Sequence, residues 1–213
     1  MTFDHLLKKI LTTLITSSVL FSILAILVAN GVTRSFDEQV LLWVNQHAND
    51  TFNAIFIALT ELGGVYCIGV VSILLTVFLL IKKQYYKALF VTFTMGGIAL
   101  FNIFLKTLFD RTRPDLWEHL VTETSFSFPS GHSSASAALA FVVVLLLWKT
   151  KWRTLSIILG VVYVLVIGLS RMYLGVHFPT DVLGGWLLGL TWVTFVAGCI
   201  LLAKTKKNNG AKL

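Results

Sequence analysis

Long apolar stretches, separated by short polar ones, dominate the chain from end to end. Six runs stand out: Ile10–Ala29, Val65–Ile81, Ala88–Leu105, Ser133–Trp148, Leu155–Leu169 and Val182–Ala203. A helix needs about 20 apolar residues to cross about 30 Å of hydrocarbon, with about 17 as the lower limit. Three runs meet this easily and Val65–Ile81 sits at the limit. The fourth and fifth are short. Each is bounded on one side by a polar, motif-rich stretch, so their ends are expected to meet a protein-lined cavity rather than lipid. The pattern predicts an all-α, polytopic membrane protein with six transmembrane helices in one domain over residues 1–203. A basic, disordered cytoplasmic tail over 204–213 is expected to follow.

Lys8 and Lys9 precede the first run as they would in a signal peptide. The run is long for a signal core, and Val28-Ala29-Asn30 is a poor cleavage site, so an uncleaved first span is expected.

Between spans one and two the period changes. Ser35-Phe-Asp-Glu38 matches a capping box. Val40, Trp43, Val44 and His47 then fall at helical spacing, and Phe52, Ile55, Phe56 and Leu59 restart it after Asn49-Asp50. Two short amphipathic helices lying in an interface would bury both stripes. They would serve either as a lipid entrance or as a simple structural lid.

Composition agrees with the pattern: of 213 residues, 56% are hydrophobic and only 13% charged, against about a quarter charged in soluble domains. The formal net charge is +7, and its distribution sets orientation. The N-terminus, the 82–87 and 149–153 loops and the C-terminal segment hold 12 of the 17 basic residues and, among acids, only Asp4. The opposite side holds five basic residues and nine carboxylates. Basic residues near helix ends favour the cytoplasm. Both termini are therefore expected there, with segments 30–64, 106–131 and 170–181 facing outward. Cations scattered in this way set topology and attract anionic lipid, so no nucleic-acid partner is expected. Cys67 and Cys199 lie inside apolar runs and suggest neither a disulfide framework nor a metal site.

Three polar clusters fall on the outward side. In the first, Lys106 and Arg113 stand seven residues apart before Pro114. They share a face if the third helix continues through them. An ammonium and a guanidinium together suit a phosphate, although two cations at a helix end can equally contact headgroups. The second is Phe128-Pro129-Ser130-Gly131-His132, just before the fourth run. Gly131 allows close backbone approach to an anion, the next helix offers free N–H groups, and Ser130 offers either a hydroxyl donor or an ordinary N-cap. His132 can exchange protons near neutral pH. The third is Ser170-Arg171, then His177 and Asp181. At a spacing of four, Asp181 can accept the Nδ1–H of His177 if the turn is helical. Nε2 is then left free to attack phosphorus. Arg171 would otherwise snorkel to headgroups.

Lys-x6-Arg-Pro, Pro-Ser-Gly-His and Ser-Arg-x5-His-x3-Asp, in this order on one side of the membrane, resemble the signature of the type 2 phosphatidic acid phosphatase (PAP2) superfamily, in its integral membrane branch. The resemblance implies that His177 is the nucleophile and forms a phosphohistidine, that Asp181 orients it, and that His132 protonates the leaving oxygen and then activates water. It implies that Lys106, Arg113, Ser130, the Gly131 amide and Arg171 hold the phosphoryl oxygens. The expected substrates are lipid phosphates or diphosphates, such as phosphatidylglycerol phosphate, phosphatidic acid or undecaprenyl diphosphate.

Charge in a phosphoryl transition state spreads over the equatorial oxygens, and three protein cations plus amides suffice to stabilise it. Asp110, Asp115, Glu118 and Glu123 show no metal-site spacing, so no cofactor is expected, and no obligate protein partner is indicated. A transporter or anion channel is the rival class. Its mark is ionisable residues at the membrane midplane, whereas here they cluster at helix ends on one side.

Overall fold

A computed structural model describes residues 3–210, all of whose regular structure is helical. The elements are α1 (Phe3–Ala29), α2 (Arg34–Asn45), α3 (Asp50–Glu61), α4 (Val65–Ile81), α5 (Tyr85–Phe109), α6 (Gly131–Leu147), α7 (Arg153–Tyr173) and α8 (Pro179–Gly210). Five stretches are long and apolar enough to cross a membrane: Phe3–Ala29, Asp50–Ile81 (α3 and α4 taken together), Tyr85–Phe109, Arg153–Tyr173 and Pro179–Lys206. Helix α6 is apolar but has only 17 residues, about 26 Å at 1.5 Å per residue.

Burial on these helices follows the logic of a lipid solvent. Val65, Ile81 and Leu100 are large, apolar and exposed, while Ser17, Thr60, Thr94, Asn102 and Ser136 are buried among the helices. Helix α8 is central, packed against α1, α5 and α6, with α7 on the far side of α6 and α4 beside α5. Small residues bring α6 and α8 close together: a Cβ on Gly189 would stand 2.9 Å from Ala137 Cβ, and one on Gly185 2.7 Å from the Ser130 carbonyl oxygen. Close backbone approach of this kind is how helices gain contact without a hydrophobic drive in lipid. It fixes the start of α6 against the start of α8, and both ends carry site residues.

The structure corrects four local expectations. Helix α2 begins at Arg34 after Thr33, whose side chain makes no cap bond. Ser35 therefore lies inside the helix, accepting a hydrogen bond from Gln39, rather than capping it. The inward face of α2 is Asp37, Leu41 and Val44, and Trp43 is 63% exposed. In α3 the inward positions are Asn53, Phe56 and Thr60, and Phe52 and Ile55 are exposed. A buried carboxylate and a half-buried amide on these faces belong to polar networks, which an apolar-stripe reading does not register. Helix α5 ends at Phe109, with Asp110 in the left-handed region (φ 47°), so Arg113 lies in a loop and shares no helix face with Lys106. Finally, α8 runs on to Gly210. The segment expected to be a disordered tail is thus helical through 204–210, and 211–213 lie outside the described residues.

Candidate active site

Helices α4, α5 and α6, the 110–130 loop and His177 in the turn between α7 and α8 line one cavity of about 890 Å³. Its polar end is lined by Lys106, Arg113, Glu123, Gly131, His132 and His177. From there it runs between α4 and α5 past Ile68, Gly69, Ile73, Met95, Gly96 and Ile98 as far as Thr76, Val77 and Thr92. One void thus joins a cationic, histidine-bearing pocket to a long apolar groove.

His177 precedes α8 and is almost wholly buried. Its Nδ1 is 3.4 Å from Oδ2 of Asp181, which also accepts the Phe178 N–H at 2.9 Å. Asp181 lies in the first turn of α8 and so has two tasks. It satisfies a free amide at the helix start and faces the imidazole. The other ring nitrogen, Nε2, stands 3.2 Å from Nη1 of Arg113. A guanidinium can only donate, so Nε2 is the acceptor and Nδ1 carries the proton toward Asp181. Burial, and then the charges of Arg113, Arg171 and Lys106, hold the His177 pKa well below the usual histidine range. The ring is neutral at pH 7, which leaves the Nε2 lone pair available.

The cations are held in place by the loop. Arg113 donates from Nε to the Ser125 carbonyl at 2.8 Å and from Nη1 to the Val176 carbonyl at 2.7 Å. Lys106 donates to the Phe126 carbonyl. Arg171 is buried, bonded to Thr60 Oγ1 at 2.8 Å and to Glu123, while its Nε has no acceptor among the described residues. Glu123 bridges the two guanidiniums, accepting from Arg171 at one oxygen and from Arg113 at the other, 3.3 Å away. Burial alone would raise its pKa, but Arg171, Arg113 and His132 outweigh that and hold it below the usual carboxylate value.

His132 and Gly131 open α6 and line the cavity. Ser130 caps that helix, accepting from the Ser133 amide at 3.4 Å and the Ser133 hydroxyl at 3.0 Å, and is fully buried. Its own amide donates to the Asp181 carbonyl at 3.0 Å, tying α6 to α8. All eight residues singled out in the sequence therefore gather here. Arg171, Ser130 and Asp181 stand behind the cavity wall and the other five form it.

The sequence pattern of the PAP2 superfamily matches residues 86–204. The chain belongs to the PAP2 superfamily. It is 33% identical over 183 residues to phosphatidylglycerophosphatase B of Bacillus subtilis, covering 84% of this chain and 90% of that one. It is 31% identical over 189 residues to an undecaprenyl-diphosphatase of Sulfolobus acidocaldarius, covering 84% and 86%. The crystal structure of the transmembrane PAP2-type phosphatidylglycerolphosphate phosphatase from Bacillus subtilis superposes with a TM-score of 0.81 at 31% identity, covering 87% of this chain and 94% of that one. This PAP2 protein is accordingly a membrane phosphatase.

Sequence reasoning passed over three members of the site. Glu123 was set aside for lack of metal-ligand spacing. Arg111, only two residues from Arg113, bonds Asp181 at 2.5 Å. Asn102, one turn before Lys106 on α5, donates to the Pro129 carbonyl at 3.1 Å and to Ser134 at 3.2 Å. The signal for Asn102 was present in its helical spacing from Lys106. For Glu123 there was none, since an irregular loop carries no period.

Proposed function

We propose that this PAP2 phosphatase hydrolyses the terminal phosphate of membrane lipid phosphates or diphosphates through a phosphohistidine at His177. The observation that carries this reading is the single cavity with histidines and cations at one end and an apolar groove between α4 and α5 at the other. The phosphate sits among Lys106, Arg113 and the amides at the start of α6, and the lipid chain follows the groove. Arg171 and Ser130 act from behind the wall, Arg171 by its charge and Ser130 by orienting the α6 N-terminus toward the anion.

In the first step the Nε2 lone pair of His177 forms a P–N bond as the P–O bond to the lipid breaks, and His132 gives its proton to the leaving oxygen. For a diphosphate the leaving group is the lipid monophosphate. Asp181 accepts a hydrogen bond from the retained Nδ1–H and balances the positive charge on the phosphorylated ring. In the second step water attacks phosphorus, His132 accepts its proton, the P–N bond breaks and inorganic phosphate departs. The protein's own cations neutralise the transferring group, so no metal is needed.

Six spans follow if α6 crosses by ending in the polar cavity, with α2 and α3 lying in the outer interface. Both termini are then cytoplasmic and the pocket opens to the extracytoplasmic side, as the basic residues at the opposite ends of the spans favour. Phosphatidylglycerol phosphate, phosphatidic acid and undecaprenyl diphosphate share the recognised features.

Phosphate release from these three lipids by purified protein in mixed micelles tests the reading. Activity is expected on at least one of them, unchanged by EDTA and inhibited by orthovanadate, which mimics five-coordinate phosphorus. Inactivity on all three, or loss in EDTA restored by magnesium, would overturn it.

A further inference from the structure

Behind the catalytic turn lies a buried ion network that meets the phosphoryl chemistry only through Asp181. Asp37 of α2 is fully buried and bonded on both oxygens. Oδ1 accepts the Thr180 amide at 3.0 Å. Oδ2 accepts the Thr180 hydroxyl at 2.7 Å, the Thr33 hydroxyl at 2.9 Å and Nη2 of Arg111 at 2.7 Å. The other arm of Arg111, Nη1, reaches Oδ1 of Asp181 at 2.5 Å and the Thr180 hydroxyl at 2.9 Å. The guanidinium lies over the Phe178 ring, 4.3 Å from its centroid, between the two carboxylates. Neither Asp37 nor Arg111 lines the cavity.

We infer that Arg111 and Asp37 are positioning residues for the phosphohistidine step, acting on His177 through Asp181. This rests on the function proposed above. The bonding divides the oxygens of Asp181 between two tasks: Oδ1 is held by Arg111 while Oδ2 faces His177. Arg111 thereby fixes the carboxylate plane, and a planar guanidinium fork does so where a point charge cannot. Charge decides why Asp37 is needed as well. Arg111 alone would cancel Asp181 and leave nothing to balance the ring when Nε2 bonds phosphorus. With Asp37 on its far side the trio carries one net negative charge, and the imidazole is next in line. A buried charge set of this kind persists only when every member is hydrogen-bonded, as these are. The network also joins α2 to the first turn of α8, so the helix outside the bundle helps hold the nucleophile.

A double-mutant cycle on the full-length protein in detergent tests this. Arg111→Met and Asp37→Asn should each lower kcat by about tenfold or more while KM stays within about twofold, because neither side chain meets the substrate. In an Asp181→Asn background the same changes should have almost no further effect, since the route to His177 is already cut. Arg111→Lys, which keeps the charge but loses the fork, should fall between wild type and Arg111→Met. A residue that merely holds the fold would lower both backgrounds equally, and that additive result overturns the inference. So does wild-type kcat in either single variant, or a change confined to KM. If Arg111→Met is not recovered as a monodisperse species, the near-isosteric Asp37→Asn decides by the same criteria. A wild-type protein without phosphatase activity would sink the proposed function itself. An active wild type with an inactive His177→Ala and additive network variants would sink only this inference.

Discussion

Nδ1 of His177 stands 3.4 Å from Oδ2 of Asp181, so one ring nitrogen is committed to a buried carboxylate and the other faces the cavity. The two residues are expected to fail unequally. His177→Ala should lower kcat by about 10⁴-fold or more, because no covalent route remains. Asp181→Asn should retain a residual rate, about 10²- to 10³-fold below wild type, since it only orients and balances charge. Steady-state phosphate release measures both. A variant at 181 less active than the one at 177 would reverse the assignment.

Glu123 presents a carboxylate to Arg113 in the cavity wall and to Arg171 behind it, and so competes with an incoming phosphate for the field of both cations. Removing its charge should favour anions. Glu123→Gln is expected to tighten inhibition by inorganic phosphate roughly tenfold, the scale of one like charge removed a few ångströms away in a partly desolvated site. Weaker inhibition would mean instead that Glu123 chiefly holds the guanidiniums in place.

Acid should destabilise the fold for a definite reason. The His177 pKa is well below 6.5 when folded, so between the two values the unfolded chain binds the proton that the folded chain refuses. That contribution is fully present above about pH 6.5 and is lost as pH falls toward the folded value. Glu123, also depressed on folding, acts in the same direction below about pH 4.5. The thermal midpoint in detergent should therefore drop from pH 7 to pH 5, and His177→Asn should flatten the decline across that window. An unchanged slope in the variant would contradict this assignment.

Much of the site was legible before the fold, and the reason is local. Ser130, Gly131 and His132 are consecutive and open one helix, and His177 and Asp181 flank the start of another, so spacing along the chain maps onto spacing in space. Arg113 was found for an incomplete reason: it reaches the cavity through a loop held by Ser125, Val176 and Glu123, not along a continued α5. Asp37 lies 144 positions from Asp181, and only the packing of α2 against α7 and α8 brings them together. No periodicity encodes such a contact. The same holds for the faces of α2 and α3, whose inward positions include Asp37, Asn53 and Thr60 while Trp43, Phe52 and Ile55 are exposed.

The groove offers a separate handle on substrate class. A Cβ at Gly69 or Gly96 would meet nothing within 4 Å, so both positions border open space in its wall. Gly69→Phe or Gly96→Phe should block a lipid chain while leaving the phosphate pocket intact. The expected outcome is loss of most activity on a long-chain lipid phosphate, with turnover of a short, water-soluble phosphate monoester kept within about threefold. Equal losses on both would show that the chain does not run there.

The covalent intermediate is the centre of the account, and trapping it is the most direct measurement. His132→Gln removes the group that activates water. With a phosphate ester whose leaving group needs no protonation, the first step should proceed and the second should stall. Rapid alkaline quenching and peptide mass spectrometry should then find one phosphoryl group on His177, labile to acid and stable to base, and none in His132→Gln/His177→Ala. Phosphate released at an undiminished rate with no phosphorylated peptide, or a phosphoryl group carried by Ser130, would contradict it.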